Sequence, residues 1–354
     1  MNLLGSTIKK IAPQDADTRV RARARLEQLT MPYWALGRLM DLAEELAGMT
    51  VSIKPSVSRK TVVTMAGDHG IAAAGVSKYP QEVTVQMVYN FVNGGAGINA
   101  LARLVGARVV VVDMGVAGDL SALVKGGKII SKRVGAGTKN MLTESAMSRD
   151  EAVSSLEGGI EVAQELGAST DIFGTGDMGI GNTSPSAAII NIFSGSPVSE
   201  IAGRGTGIDD KQLLKKIAMI EKAIAVNKPN PGDALDVLAK VGGFEIGGIA
   251  GLILGAASMR KPVLIDGFIS TAGALIAANL APVSRDYMIA SHRSMEKGHK
   301  IALDCLGKKP LLDLDLRLGE GTGAALSMNL VEAAVRIITE VATFEEAAVS
   351  KADK

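Results

Sequence analysis

Five short apolar runs, each ending in a polar or glycine-bearing segment, constrain what this chain can fold into more than any other feature. They are 61–66, 108–113, 171–173, 262–266 and 287–290. Runs rich in β-branched residues, without polar alternation, suit strands covered on both faces, as in a parallel sheet. Helical stretches lie between them. Ser148 and Glu151 form a capping box ahead of an apolar face made by Val153, Leu156, Ile160, Ala163 and Leu166. Further helices are expected at 81–92, 97–105, 211–225, 245–258, 270–280 and 324–342. The alternation predicts an α/β fold with a doubly wound, mostly parallel sheet in residues 51–330. The chain ends, 1–50 and 331–354, read as a small helical subdomain.

In open α/β sheets ligands bind beyond the carboxyl ends of the strands. Here those ends carry Gly67-Asp68-His69-Gly70, Asp113-Met114-Gly115, Gly174-Thr175-Gly176-Asp177, Asp266-Gly267-Phe268 and Ser291-His292-Arg293-Ser294. Five such ends converging on one place point to a single site. The third continues as Met178-Gly179-Ile180-Gly181-Asn182-Thr183-Ser184-Pro185, where a helix is expected to start. Glycine allows close backbone approach, and a helix N-terminus favours an anion such as phosphate.

Composition excludes several function classes. Lys and Arg number 38 against 37 Asp and Glu, so no strong field recruits nucleic acid or an anionic membrane. The Arg19, Arg21, Arg23, Arg25 series reads as a solvated helix face. No stretch approaches the roughly 18 uncharged apolar residues of a membrane span. Residues 1–10 lack the apolar run of a signal peptide, and the one cysteine, Cys305, excludes an internal disulfide. A cytoplasmic protein is therefore expected. Cys305 lies in the helix-like Ile301–Leu306 and reads as a structural thiol rather than a nucleophile.

Gly174-x-Gly176-x-x-Gly179 formally matches a dinucleotide fingerprint, but Glu200, at the distance of the required acid, ends no strand. A nicotinamide dehydrogenase is accordingly demoted. Gly203-Arg204-Gly205-Thr206-Gly207, followed by Lys215 and Lys216, is open to two readings: a second phosphate wall, or a tight turn capped by Asp209. In Leu312, Leu314, Leu316 and Leu318 the alternation with charges predicts a strand with buried leucines. Glu320, between Gly319 and Gly321, is either a solvated loop residue or a base of raised pKa. Asp313 and Asp315 read as a polar strand face. His69, His292 and His299 lack zinc spacing, and no metal is expected.

Taken in order, several blocks resemble the nicotinate-nucleotide:dimethylbenzimidazole phosphoribosyltransferase family. They are residues 67–87, 176–183, Gly203–Gly207, 242–248, 266–270, 291–294 and 319–323, and the likeness covers roughly residues 30–340. The resemblance implies a Rossmann-like sheet, a cytoplasmic homodimer without cofactor, and transfer of phosphoribose from nicotinate mononucleotide to dimethylbenzimidazole. It implies Glu320 as general base, with Asp177 a second carboxylate able to stabilise an oxocarbenium-like transition state. Ser77, Tyr79, Gln86, Met87 and Met178 would line the base pocket. Gly176, Gly179, Gly181, Asn182, Thr183, Gly203, Gly205, Lys216, Asp266, Gly267, Ser291 and Ser294 would hold phosphate and ribose. Two departures stand out: Asp177 replaces the family's usual Glu, and Tyr33-Trp34 replaces small residues, which bears either on base preference or on packing alone. A non-catalytic benzimidazole or nucleotide binder of the same fold is the alternative.

Overall fold

The computed structural model describes residues 2–205 and 207–351, so Thr206 of the second glycine cluster lies outside the described residues. Three helices come first: α1 (Leu3–Ile8), α2 (Ala16–Leu26) and α3 (Arg38–Thr50). Then follow β1 (Lys60–Gly67), α4 (Val83–Val92), α5 (Gly97–Val105), β2 (Arg108–Gly115), α6 (Ser121–Lys125), β3 (Ile130–Ser131) and α7 (Arg149–Gly167). The chain continues through β4 (Ile172–Met178), α8 (Thr183–Ser194), α9 (Val198–Ile201), α10 (Asp210–Asn227), α11 (Ala234–Val241) and α12 (Phe244–Ser258). It ends with β5 (Val263–Ile265), α13 (Phe268–Leu280), β6 (Met288–Ala290), α14 (His299–Leu306) and α15 (Thr322–Glu340).

The six strands form one parallel sheet in the order β3-β2-β1-β4-β5-β6. This is the doubly wound order, and its switch point lies between β1 and β4. Every residue of β1 is buried, as a central strand covered on both faces requires. Side chains alternate between two helical layers. Val63, Met65, Phe173 and Val263 face the layer containing α7, α8, α12 and α13. Val62, Ala66, Ile172 and Leu264 face the layer containing α2, α3, α5 and α15. Helices α7 and α12 touch backbone to backbone. A Cβ on Gly251 would lie 1.9 Å from the Leu156 carbonyl oxygen, so any side chain there must push the helices apart.

Two expectations fail. The leucine-alternating segment is no strand: only Leu312 makes a bridge, to His292, and Leu314 and Leu318 are exposed. Asp315 in the left-handed region breaks the extended path there. The arginines of α2 are not merely solvated, because Arg19 and Arg23 together clamp the buried Glu44 at 2.8 and 2.9 Å. Arg25 ties α2 to the Ile338 carbonyl of α15. Finally, the sequence pattern does not announce β3, α6, α9 or α11, and β3 has only two residues on which a period could show. Among the described residues no helix is long and apolar enough to cross a membrane.

Candidate active site

The carboxyl ends of the strands deliver the polar residues to one region. Asp68 and His69 follow β1, Asp177 lies near the end of β4, Asp266 follows β5, and Ser291 and His292 follow β6. Register places Met65 of β1 beside Asp177 and Thr64 beside Gly176. Across them lies the turn Gly319-Glu320-Gly321, whose three residues all have positive φ (80°, 63° and 99°). Left-handed backbone is costly for glutamate and persists only where surroundings impose it. Here the Thr64 hydroxyl donates to the Glu320 carbonyl at 3.0 Å. Gly176 leaves the room: a Cβ on it would sit 2.3 Å from that same oxygen.

Glu320 is buried, not a solvated loop residue. Its Oε2 accepts the Ile98 N–H at 3.0 Å, at the start of α5. Ala96 occupies the N-cap of that helix and has no side-chain acceptor, so Glu320 supplies a cap from 222 residues away. Burial raises its pKa, and the N–H groups of Ile98 and Gly97 moderate the rise. The result is a carboxylate more basic than usual, held at a helix N-terminus.

Asp266 stands behind this turn. Its Oδ1 accepts from the N–H groups of Gly323 and Ala324 at 2.8 and 3.0 Å, and its Oδ2 accepts from Gly321 at 3.1 Å. Helix α15 likewise lacks a capping side chain of its own, since Gly321 is its N-cap. Burial nonetheless pushes the Asp266 carboxyl up to about 7. Asp177 is buried too, with Oδ2 accepting from Asn182 at 3.0 Å and Oδ1 without a hydrogen-bond partner. Burial, then the nearby Asp266 and Glu245 carboxylates, hold its pKa well above the ordinary carboxylate range. Its surroundings thus disfavour the ionised form, and a positive charge arriving nearby would favour it.

Lys216 of α10 marks a second, opposite end. It is buried; its ammonium donates to the Thr183 hydroxyl at 2.8 Å and to the Gly203 carbonyl at 3.3 Å. Burial lowers its pKa to about 8. Gly205 faces the same two groups: a Cβ on it would lie 3.3 Å from the Thr183 hydroxyl and 3.4 Å from the Lys216 ammonium. Asp209 does cap α10, so the cluster is a capped turn and a lysine-bearing wall at once. Gly179 fits against the Gly67 carbonyl, 2.2 Å from where its Cβ would be, which explains that glycine without any ligand. Gly181 has φ of 92° before α8, and Gly267 is the N-cap of α13, where it faces His292. Ser291 commits its hydroxyl to the Ile265 carbonyl at 2.7 Å, while the Ser294 hydroxyl accepts from Glu296.

Comparison with known proteins settles the family. A phosphoribosyltransferase family model matches residues 11–349. The chain belongs to that family. It is 62% identical over 351 residues to the nicotinate-nucleotide–dimethylbenzimidazole phosphoribosyltransferase of Syntrophotalea carbinolica, with 99% of each chain covered. It is 59% identical over 355 residues to the enzyme of the same name from Desulfotalea psychrophila, covering 100% of each. The crystal structure of CobT from Thermus thermophilus superposes with a TM-score of 0.91 at 44% identity, covering 95% of this chain and 100% of that one. The Rossmann-like expectation holds, and the dehydrogenase reading falls.

In this phosphoribosyltransferase the residues expected around the acceptor base are more open than the carboxylates. Tyr79 and Gln86 are exposed, while Ser77, Met87 and Met178 are half-buried. Gln86 lines a cavity of about 410 Å³ with Asp68, Gln81, Glu82, Val85, Ala117 and Gly118. Asp68 itself is engaged, accepting from the Thr84 hydroxyl at 2.7 Å and the Ala117 N–H at 2.8 Å. Sequence reasoning missed two residues of the site. Leu318 packs where a Cβ on Gly97 would be, beside Glu320, and Glu245 pairs with His69 at 2.8 Å behind Gly67 and Gly179. The signal for the turn was present in Ala96 and Gly321, two helix starts without a capping side chain.

Proposed function

We propose that the enzyme transfers the 5-phosphoribosyl group of nicotinate mononucleotide to 5,6-dimethylbenzimidazole or a related base. The products are α-ribazole 5′-phosphate and nicotinate, for assembly of the cobalamin nucleotide loop. The observation that carries this reading is the buried, strained Glu320 turn, in a chain whose curated relatives bear that activity in their names.

The residues suit the chemistry. A nitrogen of the acceptor attacks C1′ from the face opposite nicotinate, and configuration inverts from β to α. The C1′–N bond breaks with its electron pair going to the pyridine nitrogen, so the ring nitrogen departs neutral and needs no acid. The one proton to be moved is the acceptor's N–H, and Glu320 takes it. Positive charge spreads over C1′ and the ring oxygen as the bond stretches. The Asp177 carboxyl, buried beside Asn182 with Oδ1 unpartnered, stabilises that charge electrostatically. Lys216, Thr183, Gly203, Gly205 and the starts of α8 and α13 would hold the 5′-phosphate and ribose, with Gly176, Gly179, Gly181, Asn182, Gly267 and Ser294 around them. Ser77, Tyr79, Gln86, Met87 and Met178 would receive the acceptor ring.

The enzyme is further proposed to act as a cytoplasmic homodimer, with residues 1–50 and 331–354 as its small helical part. The packing of α2 on α3 and the bridge between Leu29 and Thr343 support that grouping. The deciding experiment incubates the protein with nicotinate mononucleotide and a panel of benzimidazoles, phenols and purines, scoring nicotinate release and product mass. Product with dimethylbenzimidazole supports the reading. No product with any base, despite thermal stabilisation by ligands, leaves the non-catalytic binder.

A further inference from the structure

We infer that Asp266 is a positioning residue for Glu320 rather than a ligand of ribose or phosphate; the inference rests on Glu320 acting as the base. Both carboxylate oxygens of Asp266 are committed to three backbone N–H groups, those of Gly321, Gly323 and Ala324, all within 3.1 Å. These groups begin one residue after Glu320 and open α15. Asp266 is 1% exposed, so little of it is left for a ligand to reach.

The constraint it imposes is specific. Glu320 has φ of 63° between two glycines that also have positive φ, a path the chain would leave if unrestrained. Two anchors hold it: Thr64 grips the Glu320 carbonyl from one side, and Asp266 grips the next N–H groups from the other. The fixed turn then lays the Glu320 carboxylate on the N–H of Ile98. Two helix starts without their own caps are thereby coupled in series. Asp266 caps α15, and Glu320, carried by that turn, caps α5.

A misplacement of about 1 Å in a catalytic group costs on the order of a hundredfold in rate. Asp266→Asn keeps the size but turns one acceptor into a donor facing an N–H, so the turn must shift. The expected result is a kcat lower by roughly ten- to a hundredfold, with KM for nicotinate mononucleotide within about threefold of wild type. A KM raised more than tenfold with kcat unchanged, or wild-type kinetics throughout, would overturn the proposal. Combining Asp266→Asn with Glu320→Gln sharpens it. A residue acting only through Glu320 adds nothing once that base is gone, so the double variant should match Glu320→Gln. A double variant slower by the full Asp266→Asn factor means an independent role and overturns the proposal. Should Glu320→Gln alone keep its rate, the base reading fails, and this inference with it. If Asp266→Asn does not fold, Thr64→Val loosens the same turn from the other anchor. It should lower kcat several-fold at unchanged KM, and an unchanged kcat would count against the proposal.

Discussion

At one end of the site burial raises the pKa values of Asp177, Asp266 and Glu320, that of Asp177 also through the neighbouring Asp266 and Glu245 carboxylates, and at the other Lys216 is buried against Thr183 and Gly203. Desolvation acts on both, but in opposite directions: it pushes the carboxyls up and the ammonium down to about 8. Each end therefore favours its charged form less than an exposed group would, and a complementary group entering favours that form again. A pyridinium ribotide carries a cation at the glycosidic bond and a dianion at the phosphate. Residues 177–183 join the two ends, since Asn182 donates to Asp177 while Thr183 accepts from Lys216. One ligand can thus favour the charged form at both ends. The carboxylate end works on the reacting atoms and the lysine end on binding, and kinetics can separate them.

The largest effect is expected at the carboxylate end. Glu320→Gln keeps size and burial but removes the base, and kcat should fall by about 10²–10⁴-fold with nicotinate mononucleotide still binding. Steady-state kinetics beside a calorimetric Kd measure both. If Kd instead weakens in step with kcat, the two ends are not separable in this way.

At the lysine end, Lys216→Met should change KM far more than kcat. A charge-assisted hydrogen bond is worth about 1.5–3 kcal/mol, so kcat/KM should drop by roughly ten- to a hundredfold. The pH profile carries the same contrast with its signs worked out. Lys216 loses its proton as pH rises through about 8, so kcat/KM of the wild type should fall above that value. Asp266 and Glu320 act as carboxylates whose pKa values are raised, so the ionised forms are lost as pH falls, Asp266 through about 7. A bell-shaped kcat/KM profile follows. In Lys216→Met the alkaline limb should vanish while the acid limb stays, and an unchanged alkaline limb would assign it to another group.

Asp177 tests how far the first end acts through carboxylate charge. Asp177→Asn imitates the protonated form, so KM should stay within about threefold while kcat falls roughly tenfold. Equal kcat would mean that the carboxyl acts without ionising.

How much of this was legible beforehand differs between the ends in the same physical way. The strand runs, the switch-point order and the converging polar ends follow from local pattern, and α5 begins and ends at the expected 97 and 105. Lys216 and Glu320 could be proposed from glycine-rich neighbourhoods. What could not be read is partnership across long stretches of chain: Glu320 with Ile98, Asp266 with Gly323, His69 with Glu245, separated by 222, 57 and 176 residues. Period-two leucines also misled, because Leu314 and Leu318 are exposed in an irregular segment and Leu318 instead borders Glu320. Hydrophobic alternation reports burial only where neighbouring strands exist to bury it.

The smallest effect on chemistry is expected outside both ends, at Trp34. Its indole N–H donates to Asp41 at 2.8 Å, Arg23 stacks over its ring at 4.7 Å, and Tyr33 is its ring neighbour at 5.7 Å. All these partners belong to α2, α3 or the loop between them, so the tryptophan fastens the N-terminal helices to one another. Trp34→Ser loses the stacking and the hydrogen bond, and stability should fall by about 1–2 kcal/mol, read as a lower denaturant midpoint at unchanged slope. The rank order of acceptor bases should not change. If it does, the aromatic pair reaches the acceptor pocket through α3, and the division into two working ends and an inert flank has to be redrawn to include it.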